Sequence, residues 1–349
     1  MRANPPVDHS TGLRGRVLTY RPELDGLRAL SIFLVISAHL AWHPFRFGSL
    51  GVDVFFVLSG YLITQVLLRT TPTRSAFSAF YRRRFARLAP GLLLMVLLVS
   101  VLSATGLWSF PLWAPFAAVF YFMNLVGFFV PADEVAEPLN PTWSLASEEQ
   151  FYLLWPLLMF SVLKRFSRTT LAHLCVATVA VVYVLQFFLS SEVSDSLRFH
   201  GPFFRPAGLL MGCAVALYQP VSRRVGLLMF LPLLASLALA LRSTNGLFVS
   251  AATAALLVIL DSGTPLVTPI KKALSIAPLP ALGRRSYSLY LYNLPVLMLV
   301  NHFLGLSLLS NAVGLTLVLA IASASYRFVE LPALRRFSPK QPAQTSTDH

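Results

Sequence analysis

Hydrophobic side chains in this chain come in long unbroken blocks and do not alternate with polar ones. The blocks predict helices from about Leu27 to Trp42, Val52 to Leu68 and Gly91 to Leu107, with a further run from Leu112 to Val130. Others follow at Glu149–Leu163, Leu171–Leu189, Phe204–Tyr218, Val225–Leu241, Leu247–Leu260, Tyr287–Leu304 and Leu308–Tyr326. A membrane-crossing helix needs about 20 apolar residues, so several of these must borrow flanking positions. Bare backbone cannot sit in lipid, and continuous rather than alternating apolarity argues against a barrel.

The polar residues between the blocks are sorted by charge. Arginine and lysine gather before the first block, in Arg69–Arg87, after Leu163, around Arg223, between Lys271 and Arg285, and in the tail. These stretches hold 23 of the 28 Lys and Arg residues. The alternate connections hold only Arg46, Arg198, Arg205 and Arg242, and Arg28 heads the first helix. The connection Pro131–Ser147 carries Asp133, Glu134 and Glu137 with no Lys or Arg. Cytoplasmic loops are enriched in Lys and Arg, so both termini are expected inside the cell and the acidic loop outside. Gly91–Val130 must then cross an odd number of times. One crossing plus an interfacial or re-entrant piece makes about ten spans, and hydropathy leaves open which half crosses.

Composition changes the picture only by excluding alternatives. Of 349 residues, 56% are hydrophobic and 12% charged; a globular protein has about 25% charged. A soluble domain of this size lacks the interior for so much apolar surface. The net charge of +14 would suggest nucleic acid in a soluble chain, but here the basic clusters alternate from loop to loop and face membrane lipids. Cys175 and Cys213 both lie in apolar runs, which excludes a disulfide scaffold and a cysteine-based zinc site; no metal is expected. Residues 1–20 read as a cytoplasmic tail and not as a signal peptide, residues 21–332 as one transmembrane domain, and residues 333–349 as a polar cytoplasmic tail. The whole is an all-α, multi-pass protein of the cell membrane.

Ionisable groups inside apolar spans are costly, and so are functional candidates. Arg28 and His39 are eleven residues apart on the first helix, about three turns, and so share one face with Ser31 and Val35 between them. His39 lies about 16 Å deeper than Arg28. Asp53 opens the second helix, either as a first-turn carboxylate favoured by the helix dipole or as a partner for His39. Ser59-Gly60 reads as close helix packing. Arg84 and Arg87 share a face in a run richer in arginine than orientation requires; arginine forks bind phosphate oxygens. Trp143, Ser144, Ser147, Glu148 and Glu149 lead into a span from outside, where a capping box explains one acid but not two. Tyr287, Tyr290 and Tyr292 suit an interfacial belt, while Asn293 lies deeper and needs a partner. Glu330 is expected to pair with Arg327 at the surface.

Taken together, these residues are similar to the membrane acyltransferase 3 family. The matching blocks are Asp25-Gly-Leu-Arg28 with His39; Gly51-Val-Asp53 through Ser59-Gly60-Tyr-Leu-Ile; Arg84-Phe-Ala-Arg87-Leu-Ala-Pro90; Thr142-Trp143-Ser144 through Trp155-Pro156; and Ser286-Tyr287-Ser-Leu-Tyr-Leu. They run from about Arg21 to Glu330 in family order. The resemblance implies a ten-helix fold in a stand-alone form, without the fused esterase-like domain that many relatives carry. It implies an acyl-CoA donor, acetyl-CoA foremost, and a hydroxyl acceptor on a glycan, glycolipid or glycoside. His39 becomes the catalytic residue, Arg28–His39 the basic-x10-His motif, Arg84/Arg87 the paired-arginine motif and Glu148 the functional carboxylate. Asn293 departs from the pattern, because family members often have His there, and it can take no proton-transfer role.

On that basis the donor phosphates are expected on Arg84, Arg87 and Arg28, with the pantetheine arm reaching the Arg28–His39 distance. Trp143, Ser144, Tyr287 and Asn293 would contact substrate. His39 would act as general base or form an acyl-His intermediate, with Glu148 or Asp53 orienting its ring. A competing class is a proton-coupled transporter or flippase using Asp53, His39 and Glu148 as a relay; the arginine excess and the lack of internal repeats weigh against it. A non-catalytic sensor of the same fold is a third reading.

Overall fold

The computed structural model describes residues 20–40, 50–126, 137–188, 206–242 and 245–337, and no strand occurs among them. The expected N-terminal tail (residues 1–19), Arg46, Arg198, Arg205, Asp133, Glu134 and the tail beyond residue 337 lie outside the described residues. The first six helices are α1 Pro22–Ala38, α2 Leu50–Leu67, α3 Arg74–Ala104, α4 Trp113–Val119, α5 Met123–Val126 and α6 Thr142–Leu163. Next come α7 Arg168–Phe188, α8 Pro206–Leu217, α9 Arg223–Leu228, α10 Phe230–Arg242 and α11 Gly246–Asp261. The last are α12 Val267–Leu274, α13 Pro278–Arg284, α14 Ser286–Leu304, α15 Leu308–Ser325 and α16 Leu331–Phe337. A π-helical turn, Tyr326–Glu330, joins α15 to α16.

Among the described residues, five stretches are long and apolar enough to cross a membrane: Leu50–Leu67, Arg74–Ala104, Arg168–Phe188, Arg223–Arg242 and Leu308–Phe337. The faces of α7 and α10 that turn outward carry Phe187, Phe188, Leu231 and Leu241, all exposed. In water such a surface would be costly; against lipid tails it is the natural outer wall. This is an all-α membrane protein.

The boundaries differ from the hydropathy reading where polar residues join a helix. α1 starts at Pro22, five residues before the expected Leu27, with Glu23 and Asp25 in its first turn. Proline suits the first helical position and the dipole favours acids there. α3 starts at Arg74, not Gly91, and Thr73 caps it by accepting from the Ala76 N–H at 3.2 Å. The arginine run is therefore the first half of a 31-residue helix, about 46 Å long, longer than the hydrocarbon core. After it, α4 and α5 have 7 and 4 residues, too short to cross. Tyr121 turns the chain between them at φ 59°. Its carbonyl accepts from Gln150 Nε2 at 2.8 Å, and Gln150 exchanges two amide hydrogen bonds with Asn124. The short pieces are thus fastened to α6.

Small residues let helices touch backbone to backbone. A Cβ on Gly60 of α2 would stand 1.8 Å from the Leu209 carbonyl oxygen of α8, and one on Gly212 would stand 1.9 Å from that of Val57. The apolar core nearest the site joins Ile32, Val35 and Ile36 of α1 to Phe56 of α2, Leu92 and Met95 of α3 and Leu289, Val296 and Leu297 of α14. It places the ends of α1, α2, α3, α6 and α14 around one interior space.

Candidate active site

That space is a cavity of about 330 Å³. Arg28, Arg84 and Arg87 line it together with Val52, Phe55, Phe56, Ser144 and Tyr290, and with Leu62, Ile63, Val66 and Phe80. Glu148 and Tyr152 also line it. Ser144, Glu148 and Tyr152 follow at i, i+4 and i+8, so they form one stripe down α6, about 6 Å per step.

The three arginines are not equivalent. Arg28 is paired with Asp25 one turn back at 3.1 Å. Arg84 is gripped by both oxygens of Glu149, one at 3.0 Å from Nε, and by Glu148 Oε1 at 3.3 Å. Its guanidinium also lies 3.1 Å from the centre of the Tyr152 ring. Arg87 makes no ion pair among the described residues. It lines the cavity beside Arg28 and Arg84, whose positive charges repel it. A half-buried cation in that state is a ready anion site. The expected phosphate pair therefore divides: Arg87 faces the cavity unclaimed, while Arg84 is held in a carboxylate and aromatic clamp.

His39 is the C-cap of α1, with its N–H on the Ile36 carbonyl at 3.0 Å. Its Nδ1 lies 2.6 Å from Asn293 Oδ1. Asn293 is fully buried on α14 and donates its amide N–H groups to the carbonyls of Tyr290 at 2.6 Å and Leu289 at 3.2 Å. With Nδ2 committed to two acceptors, Oδ1 must accept, so Nδ1 carries the proton and Nε2 the lone pair. Asn293, which cannot titrate, thus fixes the tautomer.

Glu148 and Asp53, the expected orienting groups, also have partners of their own. Glu148 accepts from Ser59 Oγ at 2.8 Å as well as from Arg84, so it belongs to the arginine cluster. Asp53 is a buried first-turn carboxylate whose oxygens lie against Gly246, at the start of α11; a Cβ there would stand 2.5 Å from Oδ2. The favourable N-terminus of α11 gives it a structural setting.

The remaining expected residues also have defined places. Ser144 is on the cavity wall, 2.5 Å from the Tyr290 hydroxyl. Trp143 packs edge-on behind Phe56, with ring centres 6.3 Å apart. Tyr287 lines the cavity and donates to the Leu88 carbonyl at 2.5 Å, and Tyr292 is buried, so the α14 tyrosines face the bundle interior and are not an interfacial belt. The capping box is not formed: α6 begins at Thr142 without a side-chain cap, and Ser147 Oγ donates to the Trp143 carbonyl. Glu330 is buried and accepts from Ser288 Oγ, facing away from the surface pairing expected with Arg327. Ser59, Glu149, Tyr290 and Glu330 are the site residues that hydropathy undervalued. The adjacent Glu148-Glu149 pair was the one visible signal among them.

The fold and site define a polytopic helical membrane protein with a half-buried histidine held by Asn293, one turn along α14 from a cavity lined by arginines. A family model described as an acyltransferase domain matches residues 21–327, and the chain belongs to that acyltransferase family. It is 31% identical over 366 positions to the O-acetyltransferase OatA of Staphylococcus aureus, covering 93% of this chain and 60% of that protein. It is also 31% identical over 356 positions to the peptidoglycan O-acetyltransferase OatA of Listeria monocytogenes, covering 90% and 56% respectively. The chain therefore spans about 60% or less of the length of these curated relatives. No solved structure matches it.

Proposed function

We propose that this protein is a membrane-embedded O-acyltransferase that moves a short acyl group, acetyl foremost, from acyl-CoA to a hydroxyl of a cell-envelope glycan. The observation that carries this reading is the cavity, with Arg28, Arg84 and Arg87 in its wall and the His39–Asn293 pair one turn along α14 from its lining residue Tyr290. The peptidoglycan activity in the name of the Listeria relative supports a peptidoglycan-type acceptor.

The donor phosphates bind Arg87, with Arg28 beside it, by charge-assisted hydrogen bonds. The pantetheine arm lies along the stripe of Tyr152, Glu148 and Ser144 and brings the thioester toward His39. The acceptor hydroxyl gives its proton to His39 Nε2 as its oxygen attacks the thioester carbonyl carbon. Asn293 holds the ring through Nδ1–H, and its dipole stabilises the imidazolium. The proton then passes to the departing CoA thiolate. General-base help of this kind is worth about 10² to 10⁴ in rate.

The test is CoA release by the purified full chain from acetyl-CoA, with soluble peptidoglycan fragments and other envelope glycans as acceptors. Release should require an acceptor, and His39→Ala should abolish it while CoA binding persists. Near-wild-type turnover by His39→Ala would refute the base assignment. Flux of a glycan driven by a pH gradient, without CoA consumption, would favour a transporter instead.

A further inference from the structure

Ser144 and Tyr290 bridge α6 and α14 on the wall of the cavity, which Val52, Phe55, Phe56 and Leu145 also line. Ser144 is one helical turn above Glu148 on α6. Tyr290 is one turn below Asn293 on α14, and its carbonyl is one of the two acceptors that orient Asn293. The bridge therefore lies between the Arg84–Glu148 pair and the His39–Asn293 pair.

The protons of the bridge can be assigned. Tyr290 has one hydroxyl proton, and it points to the Pro141 carbonyl at 2.7 Å. Its oxygen is then an acceptor for Ser144, 2.5 Å away. The other acceptor within reach of Ser144 is the second lone pair of the Pro141 carbonyl, further off at 3.3 Å than the Tyr290 oxygen. Ser144 thus holds the one mobile proton of the pair. It can turn this proton to a third oxygen in the cavity while Tyr290 keeps its own bond, so no buried donor is stranded. Among apolar walls such a bond is stronger than in water.

Building on the acyltransferase reading above, we propose that Ser144 donates a hydrogen bond to the acyl carbonyl oxygen, and that Tyr290 is a positioning residue that holds Ser144 ready. As the acceptor oxygen bonds to the carbonyl carbon, the carbonyl π pair moves onto its oxygen and the Ser144 bond tightens. The C–S bond then breaks as the C=O re-forms, and the thiolate takes the proton that His39 removed from the acceptor. Donors aimed at developing charge act on the chemical step more than on binding.

The experiment uses the full chain in lipid nanodiscs with acetyl-CoA and soluble peptidoglycan fragments. Ser144→Ala should lower kcat by about 10² to 10³, as loss of one oxyanion donor does, with little change in KM for acetyl-CoA. Ser144→Thr, which keeps the hydroxyl, should recover most of the activity, and Tyr290→Phe should lower kcat by a smaller factor. A binding comparison separates this role from mere folding. Acetonyl-dethio-CoA keeps the carbonyl, and S-ethyl-CoA lacks it. Wild type should prefer the ketone, and Ser144→Ala should lose that preference while binding S-ethyl-CoA as before. A kcat within twofold of wild type for Ser144→Ala, an unchanged ketone preference, or an acyl group trapped covalently on Ser144 would overturn the proposal. A wild-type protein that neither binds CoA nor releases it from acetyl-CoA would overturn the parent reading, and this one with it. Turnover that depends on His39 but not on Ser144 would sink this inference alone.

Discussion

Replacing Asn293 with Leu tests the tautomer argument, because the side chains are close in volume and Leu offers no acceptor. In the structure His39 Nδ1 lies 2.6 Å from Asn293 Oδ1, and both remaining amide protons are committed to backbone carbonyls. A neutral hydrogen bond is worth about 0.5–1.5 kcal/mol, and one to a charged group about 1.5–3 kcal/mol. The bond strengthens as His39 becomes imidazolium, so the difference, about 1–1.5 kcal/mol, acts on the barrier. That corresponds to about a tenfold loss in kcat. Freeing the ring to take the other tautomer adds to it, for a total of about 10- to 100-fold. The measurement is steady-state CoA release with acetyl-CoA varied at saturating acceptor. KM for acetyl-CoA should stay within about threefold, because Asn293 does not line the cavity. The reasoning fails if Asn293→Leu keeps kcat within twofold of wild type in an enzyme that His39→Ala inactivates.

The arginines should separate by assay. Arg87→Ala should raise KM for acetyl-CoA at least tenfold with the fold intact, since Arg87 has no ion pair to lose among the described residues. Arg84→Ala leaves the part-buried Glu148 and Glu149 facing each other without their cation, which is destabilising; thermal unfolding in detergent should show a lower Tm than for Arg87→Ala. Equal Tm values would contradict the clamp. Gly60→Ala forces a Cβ onto the Leu209 carbonyl, so α2 and α8 must part and the yield of folded protein by size-exclusion should fall; normal yield would mean the helices have slack. Glu330→Ala removes the acceptor of Ser288, and an unsatisfied buried hydroxyl costs about 1–3 kcal/mol. Glu330→Gln, which still accepts, should unfold closer to wild type, and the reverse order would refute the assignment.

The sequence by itself determined the medium and the class of element. Unbroken apolar runs with so few charges can bury themselves only in lipid, and lipid admits helices because every backbone group must be satisfied within the segment. It also singled out His39 and Arg28, since an ionisable residue in such a run is costly, and Arg84 with Arg87, since their segment holds more arginine than orientation requires. Periodicity placed Arg28 and His39 on one face, but it says nothing of what stands opposite, because partners come from helices hundreds of residues away. Only the tertiary structure put Asn293 on His39, across 254 positions. It gave Glu149 to Arg84, turned the α14 tyrosines inward and buried Glu330. These choices rest on which helix faces meet and at what depth. Packing fixes them through close approaches such as Gly60 against Leu209, and local patterning carries no record of them.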